Sequence, residues 1–263
     1  MREHILFITY GKDSLACLGA IDHLGWPLDR IVHAEVWATN TIPADLPPMV
    51  EFKGKVDEII KERWGITVEH VSTGRTFEEC FYSVRGRGGI KTKHSGEIYG
   101  WPMIKGQWCL NLLKLRAFKE IGNDCVQYLG IAADEKSRII RHMGRNNIML
   151  PLVEAGWEED YCGLWCKYMG LLSPIYSDSS RGGCWFCHCQ STEQLRSLRK
   201  KYPDLWELML RWDKDSPVTF KGGGHTVSDY DNRFWLEDQG LIDPNKRFYW
   251  DLVKNCPREK TRK

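Results

Sequence analysis

The chain has 263 residues, a formal net charge of +2 and a pI near 8.0. It is long enough to bury a sizeable core as one large α/β domain or a domain with an appended lobe, and its near-neutral balance excludes a global field built for nucleic acid. No stretch approaches the roughly 18 consecutive apolar residues that span a bilayer. Residues 1–20 run straight into a strand with no signal-peptide cleavage pattern, so a soluble, cytoplasmic protein with no membrane partner is expected.

Residues 5–8 are a short apolar run, and helical periodicity follows over 15–24. A second strand is predicted at 31–38. A charged amphipathic helix follows over 49–64, opened by Pro47-Pro48 and stopped by Gly65. A third strand at 67–71 and a short helix at 77–84 precede residues 85–106. That stretch holds six glycines and six basic residues, among them Arg85, Arg87, Lys91, Lys93, His94 and Lys105, and almost no periodicity. A loop of this length covers a ligand, guides a nucleic-acid strand or is simply mobile. Next come a helix at 107–121, a strand at 126–132, a helix at 134–143 and a fifth strand at 148–153.

Strands alternating with helices predict a Rossmann-like α/β fold: a parallel twisted sheet with helices on both faces. Such sheets bind ligands beyond the carboxyl ends of their strands. Residues 9–14, 39–41, 72–75 and 133–138 all fall there. Beyond 155 the pattern changes to a helix at 157–169, an irregular link at 171–180 and helices at 192–201 and 205–212, then a polar, turn-rich end. The expected division is therefore 1–155 for the α/β domain and 156–263 for a small, mostly helical, cysteine-bearing lobe.

The turn after the first strand, Thr9-Tyr10-Gly11-Lys12-Asp13-Ser14, lacks both the spacing of a Walker loop and the three glycines of a dinucleotide fingerprint. It reads as a short anion cradle: main-chain N–H groups at a helix N-terminus, hydroxyls from Thr9 and Ser14, and the Lys12 charge.

The ten cysteines of a chain expected in a reducing compartment are unlike a disulfide framework, so clustered ones read as metal ligands. RGGCWFCHCQ places Cys184, Cys187 and Cys189 within six residues, a spacing open to zinc or to an iron–sulfur cluster. Cys109, Cys162 and Cys166 are further candidates, while Cys17, Cys80 and Cys125 lie in apolar patterns and read as core.

On these residues the chain resembles the PAPS reductase-like family of the adenine nucleotide alpha-hydrolase (PP-loop ATP pyrophosphatase) superfamily. TYGKDSLACL is similar to its Ser-x-Gly-Lys-Asp-Ser pyrophosphate loop, with Thr9 in place of the first serine. Trp108-Cys109 with Lys114 is similar to its Trp-Cys…Lys helix. Residues 130–138 with Arg141 resemble its Gly-x-Arg-x-x-Glu-Ser-x-x-Arg segment, departing at Ala132. The likeness covers roughly residues 4–190.

The resemblance implies that Thr9, Tyr10, Gly11, Lys12, Asp13 and Ser14 hold the phosphates of ATP or a related adenine nucleotide, with Gly130, Glu135 and Arg141 completing the site. Lys12, Asp13 and Arg138 are the expected catalytic groups, and Asp134 or Glu135 would help hold Mg2+. It also implies a 4Fe-4S cluster on Cys109, Cys184 and Cys187, with Cys166 favoured over Cys189 or Cys162 as fourth ligand. The implied activity is ATP-dependent adenylylation coupled to sulfur transfer, as in nucleic-acid thiolation, with nucleic acid or a sulfur-donor protein as partner. Sulfonucleotide reduction to sulfite is the second reading, although the chain ends in Asn255-Cys256-Pro257 rather than the reductases' Glu-Cys-Gly-Leu-His tail. A nucleotide- or cluster-binding sensor without turnover is the third.

Overall fold

The computed structural model describes residues 2–86, 94–102, 107–119, 121, 124–177 and 182–254. Half of the basic loop, including Arg87, Lys91, Lys93 and Lys105, lies outside the described residues, as do Cys256 and the basic tail.

The chain is α/β. Strands β1 (Glu3–Ile8), β2 (Arg30–Ala34), β3 (Val68–Val71), β4 (Cys125–Tyr128) and β5 (Ile148–Met149) form one parallel sheet in the order β3-β2-β1-β4-β5. Between β3, at one edge, and β4 the chain passes to the other side of β1, so the carboxyl ends of β1 and β4 flank the switch point of the sheet. Successive residues of β1 serve opposite faces. Leu6 and Ile8 pack with Ile31, Val68 and Tyr128 under α1 (Lys12–Leu24) and α2 (Pro47–Trp64). Ile5 and Phe7 pack with Val32 and Cys125, and Phe118 of α4 (Arg116–Lys119) covers them. Burial on both faces explains why β1 reads as an unbroken apolar run from Ile5 to Ile8; each buried aliphatic side chain stabilises by about 1.5–3 kcal/mol.

The punctuation of α2 is as the sequence predicts: proline opens it and left-handed Gly65 closes it; Gly25, also left-handed, closes α1. Three expectations are corrected. Strand 148–153 is cut to two residues because Pro151 lacks a ladder N–H and instead opens α6 (Pro151–Glu154). Helix 107–121 begins as a π-helical turn, Leu110–Leu115, ahead of α4. The turn-rich end contains α10 (Val227–Asp238), started by reciprocal bonds between Thr226 and Asp229.

Two compact units form, one of Met1–Phe77 and Leu110–Cys184, the other of Glu78–Cys109 and Trp185–Lys263. The division differs from the expected break at 155. After α5 (Lys136–His142), helix α7 (Glu159–Met169) stays with the sheet unit, pressed on α1 so closely that a Cβ on Gly19 would lie 2.4 Å from the Trp165 ring. In the second unit, Trp101, Trp212, Phe81 and Phe220 make an aromatic core. Trp185 stacks on Trp212 with centroids 5.6 Å apart. Helices α3 (Phe77–Tyr82), α8 (Thr192–Lys201), α9 (Pro203–Asp215) and α11 (Asp251–Lys254) complete the chain. No helix among the described residues is long and apolar enough to cross a membrane.

Candidate functional site

Residues 9–11 turn the chain from β1 into α1 at the switch point. Ser14 lies at the centre of the turn: its Oγ accepts the Thr9 N–H at 3.1 Å and donates to the Gly11 carbonyl at 2.9 Å. The Lys12 N–H is donated to the Tyr176 hydroxyl at 3.1 Å. Gly11 at the N-cap brings no side chain to the remaining amides, so the first turn of α1 keeps its partial positive charge for an anion. Gly130, just past β4, closes the other side. A Cβ there would lie 2.6 Å from Ser14 Cα and 2.7 Å from Ser14 N. Only glycine lets these two backbones meet.

Lys12 is held between carboxylates. Its Nζ lies 2.5 Å from Glu159 Oε1 and 3.1 Å from Asp13 Oδ1. Burial opposes the Lys12 charge, but Glu159 and Asp13 outweigh it and the pKa rises. Burial also raises Asp13, against the pull of Lys12. Both cationic contacts of Lys12 are thus made within the chain.

The other expected nucleotide contacts are already engaged. Glu135 accepts the Ala132 N–H at 3.1 Å and both its oxygens lie 2.7 Å from Arg138 Nη1. Asp134 Oδ1 accepts the N–H of Glu159 at 3.2 Å, capping α7 rather than standing open to a metal. Arg138 and Arg141 sit on α5, which buries none of its residues. To hold Mg2+, Glu135 must first release Arg138.

The cysteines separate into two environments. Cys17, Cys162 and Cys166 lie in the sheet unit's core. Burial pushes the Cys162 and Cys166 thiols up to about 12. The Cys166 thiol donates to the Lys12 carbonyl at 3.2 Å. These are the surroundings of a packed thiol, and they support the loop from beneath. By contrast, Cys109, Cys184 and Cys187 are half-buried and Cys189 is exposed. Ligand atoms of Cys187, His188 and Cys189 lie within 4.8 Å of one another. Lys221 brings a half-buried ammonium to this group: burial lowers its pKa, partly offset by Cys189 and Cys187, and it donates to the Gln190 carbonyl.

A further cluster under the loop has no counterpart among the sequence expectations. His33 and His70 are opposite each other in the β2–β3 register. The His33 Nδ1–H donates to the Ile8 carbonyl at 3.0 Å, leaving Nε2 to accept from Lys53 at 2.8 Å. Burial and the Lys53 charge hold His33 far below the usual histidine range. Lys53, only 5% exposed, also reaches Glu35 at 3.2 Å and Asp45 at 2.5 Å. Burial works against the Glu35 charge, yet His70 and Lys53 keep its pKa low. His33, Glu35 and His70 present atoms within 4.8 Å of each other, a spacing that suits a metal, but the Lys53 ammonium already supplies the cation at that point. One signal was readable: a lysine on the apolar stripe of α2 with Met49, Phe52, Val56 and Ile60. Comparison with protein-family models, with curated proteins and with solved structures returns no match for this chain.

Proposed function

We propose that the turn at residues 9–14 holds the phosphates of an adenine nucleotide and that the chain is an ATP-dependent adenylylating enzyme coupled to sulfur transfer, as its resemblance to the PAPS reductase-like PP-loop family implies. The observation that carries this reading is the uncapped first turn of α1 at the switch point of the sheet, closed by the backbone of Gly130 against Ser14. Main-chain amides of the turn and the Thr9 hydroxyl bind the phosphates, joined by the Ser14 hydroxyl once it turns from the Gly11 carbonyl. Lys12, released from Glu159, neutralises charge as pyrophosphate leaves, and Asp13 keeps the ammonium in place. Arg138, freed from Glu135, steadies the α-phosphate while a substrate oxygen attacks it. Glu135 would then be available to Mg2+, which shields the phosphate charge when bound.

Half-exposed thiols beside a cation suit a thiolate-bound centre. The ligand set expected for a 4Fe-4S cluster is Cys109, Cys184 and Cys187. Cys189 or His188 is the better fourth ligand, because Cys166 is occupied in the core. The cluster, when bound, supplies a sulfur-rich site for the sulfur that displaces AMP.

Pyrophosphate release from ATP tests the nucleotide half. Lys12→Ala should lower it by about a hundredfold; equal rates in both proteins would refute the role of the turn. Iron content after anaerobic purification tests the cysteine half, with Cys184→Ala losing metal and Cys166→Ala retaining it.

A further inference from the structure

Tyr10 has φ 55° and is the only described non-glycine residue in the left-handed region. A bulky side chain adopts that conformation only at a steric cost, so something must hold it. Its phenol is fully buried and donates to Asp57 Oδ1 at 2.5 Å, while the ring stands edge-on to His33 with centroids 4.8 Å apart. Asp57 in turn faces His70: Oδ2 lies 2.8 Å from His70 Nε2, and Glu35 Oε2 lies 3.1 Å from His70 Nδ1. Both ring nitrogens therefore point at carboxylates. A neutral imidazole has only one N–H, so one carboxylate would face a lone pair; an imidazolium satisfies both.

We infer that Asp57, His70, Glu35 and Lys53 are positioning residues for the turn: through the Tyr10 hydroxyl they fix its left-handed conformation, and loss of the His70 proton loosens it. The groups facing His70 are Tyr10 from the turn, His33 and Glu35 at the end of β2, and Lys53 and Asp57 from α2, with Asp45 reached through Lys53. Three carboxylates meet two cations, His33 being neutral, so the cluster carries one net negative charge. Deprotonation of His70 makes that two. Where the proton lost is the one on Nε2, that nitrogen also becomes an acceptor 3.2 Å from the Tyr10 hydroxyl, which then has two competing partners instead of one. The hydrogen bonds to Asp57 and Glu35 raise the His70 pKa to about 9 against the effect of burial, so the proton is present at neutral pH and leaves only in alkali.

The inference deepens the phosphate reading of the turn and rests on it only for what the turn holds. Its test is NMR of the full chain with labelled histidine, following the His70 ring together with the Gly11 and Lys12 amides from about pH 6 to 10. The amides should shift with the His70 midpoint, near about 9. In Tyr10→Phe, His70 should still titrate while the amides stay flat. Wild-type amides that ignore the titration, or a His70 midpoint at the ordinary value of about 6.5, overturn the inference. Calorimetry with ATP and with inorganic pyrophosphate should show affinity falling about tenfold across the same midpoint in the wild type, the scale of one charge-assisted hydrogen bond. Amides that respond while neither ligand binds uphold the network and overturn the phosphate reading alone.

Discussion

At the carboxyl end of β1 the turn at residues 9–14 is held by side-chain hydrogen bonds drawn from distant segments: Tyr176 on the Lys12 amide, Asp57 on Tyr10, and the Lys53 cluster beneath. Around Cys187 the neighbouring residues Trp185 and Phe186 are held by rings. Both pack on Trp212 with centroids 5.6 and 5.7 Å apart, and the half-buried Lys221 ammonium lies close to Cys187 and Cys189. The first arrangement fixes direction, as the proposed convergence of main-chain amides on one anion would require. The second fixes position, which would suit the proposed role of the cysteines as ligands whose geometry is completed by what they bind. The two regions should therefore fail differently.

Trp212→Ala should be the most damaging change. Trp212 is 1% exposed, touches Trp101, Trp185 and Phe186, and donates its indole N–H to Glu78 at 2.9 Å. Its loss should cost about 4 kcal/mol in urea unfolding. Trp212→Phe separates packing from the hydrogen bond: recovery of most of the stability confirms that rings hold this region. A loss equal to that of Trp212→Ala would transfer the role to the Glu78 bond and weaken the contrast.

Lys53→Met comes next, at about 3 kcal/mol, because it strands Glu35 and Asp45 beside a neutral His33. The sharper measurement adds Glu35→Gln and Asp45→Asn to the same chain. An apolar, uncharged replacement of a buried ion network is often tolerated, so stability should return in large part while the turn, deprived of His70's partner, should still bind nucleotide poorly. Recovery of binding along with stability would mean that the cluster is ballast for the fold and has no role in aiming the turn.

These networks also mark where the sequence stops being legible. Strand and helix order could be read because the central strand β1 carries a continuous apolar run, Ile5 to Ile8, and because proline and glycine punctuate α2. The pyrophosphate-like turn was legible as a contiguous motif. Lys53 was hidden because its three partners come from positions 33, 35 and 45, each unremarkable alone. Helix α10 was hidden for a related reason: Asp231 and Asn232 occupy buried positions that read as surface. Asp231 is buried because it accepts from the Trp206 indole at 2.9 Å and pairs with Arg199 at 2.8 Å. A polar residue that finds its partner across the fold erases the apolar periodicity on which helix prediction rests. Tyr176, which holds the Lys12 amide, lies 164 residues from it and carries no motif.

Arg138→Gln should have the smallest effect on stability and the most selective effect on function. Its side chain is 47% exposed and pairs with Glu135 three residues away, an arrangement that contributes less than about 0.5 kcal/mol. Unfolding should hardly change, whereas pyrophosphate release should fall by about a hundredfold if the guanidinium transfers from Glu135 to phosphate. Arg138→Lys keeps the charge but not the planar fork, so a partial loss identifies bidentate contact and full activity identifies a point charge. Glu135→Gln tests the exchange itself. It weakens the hold on Arg138 while retaining an oxygen to accept the Ala132 N–H, so nucleotide affinity should rise if release of Arg138 opposes binding. Unchanged affinity with slower release would instead assign Glu135 to the metal, and unchanged values for both would leave α5 outside the site, with the turn and Gly130 as its whole extent.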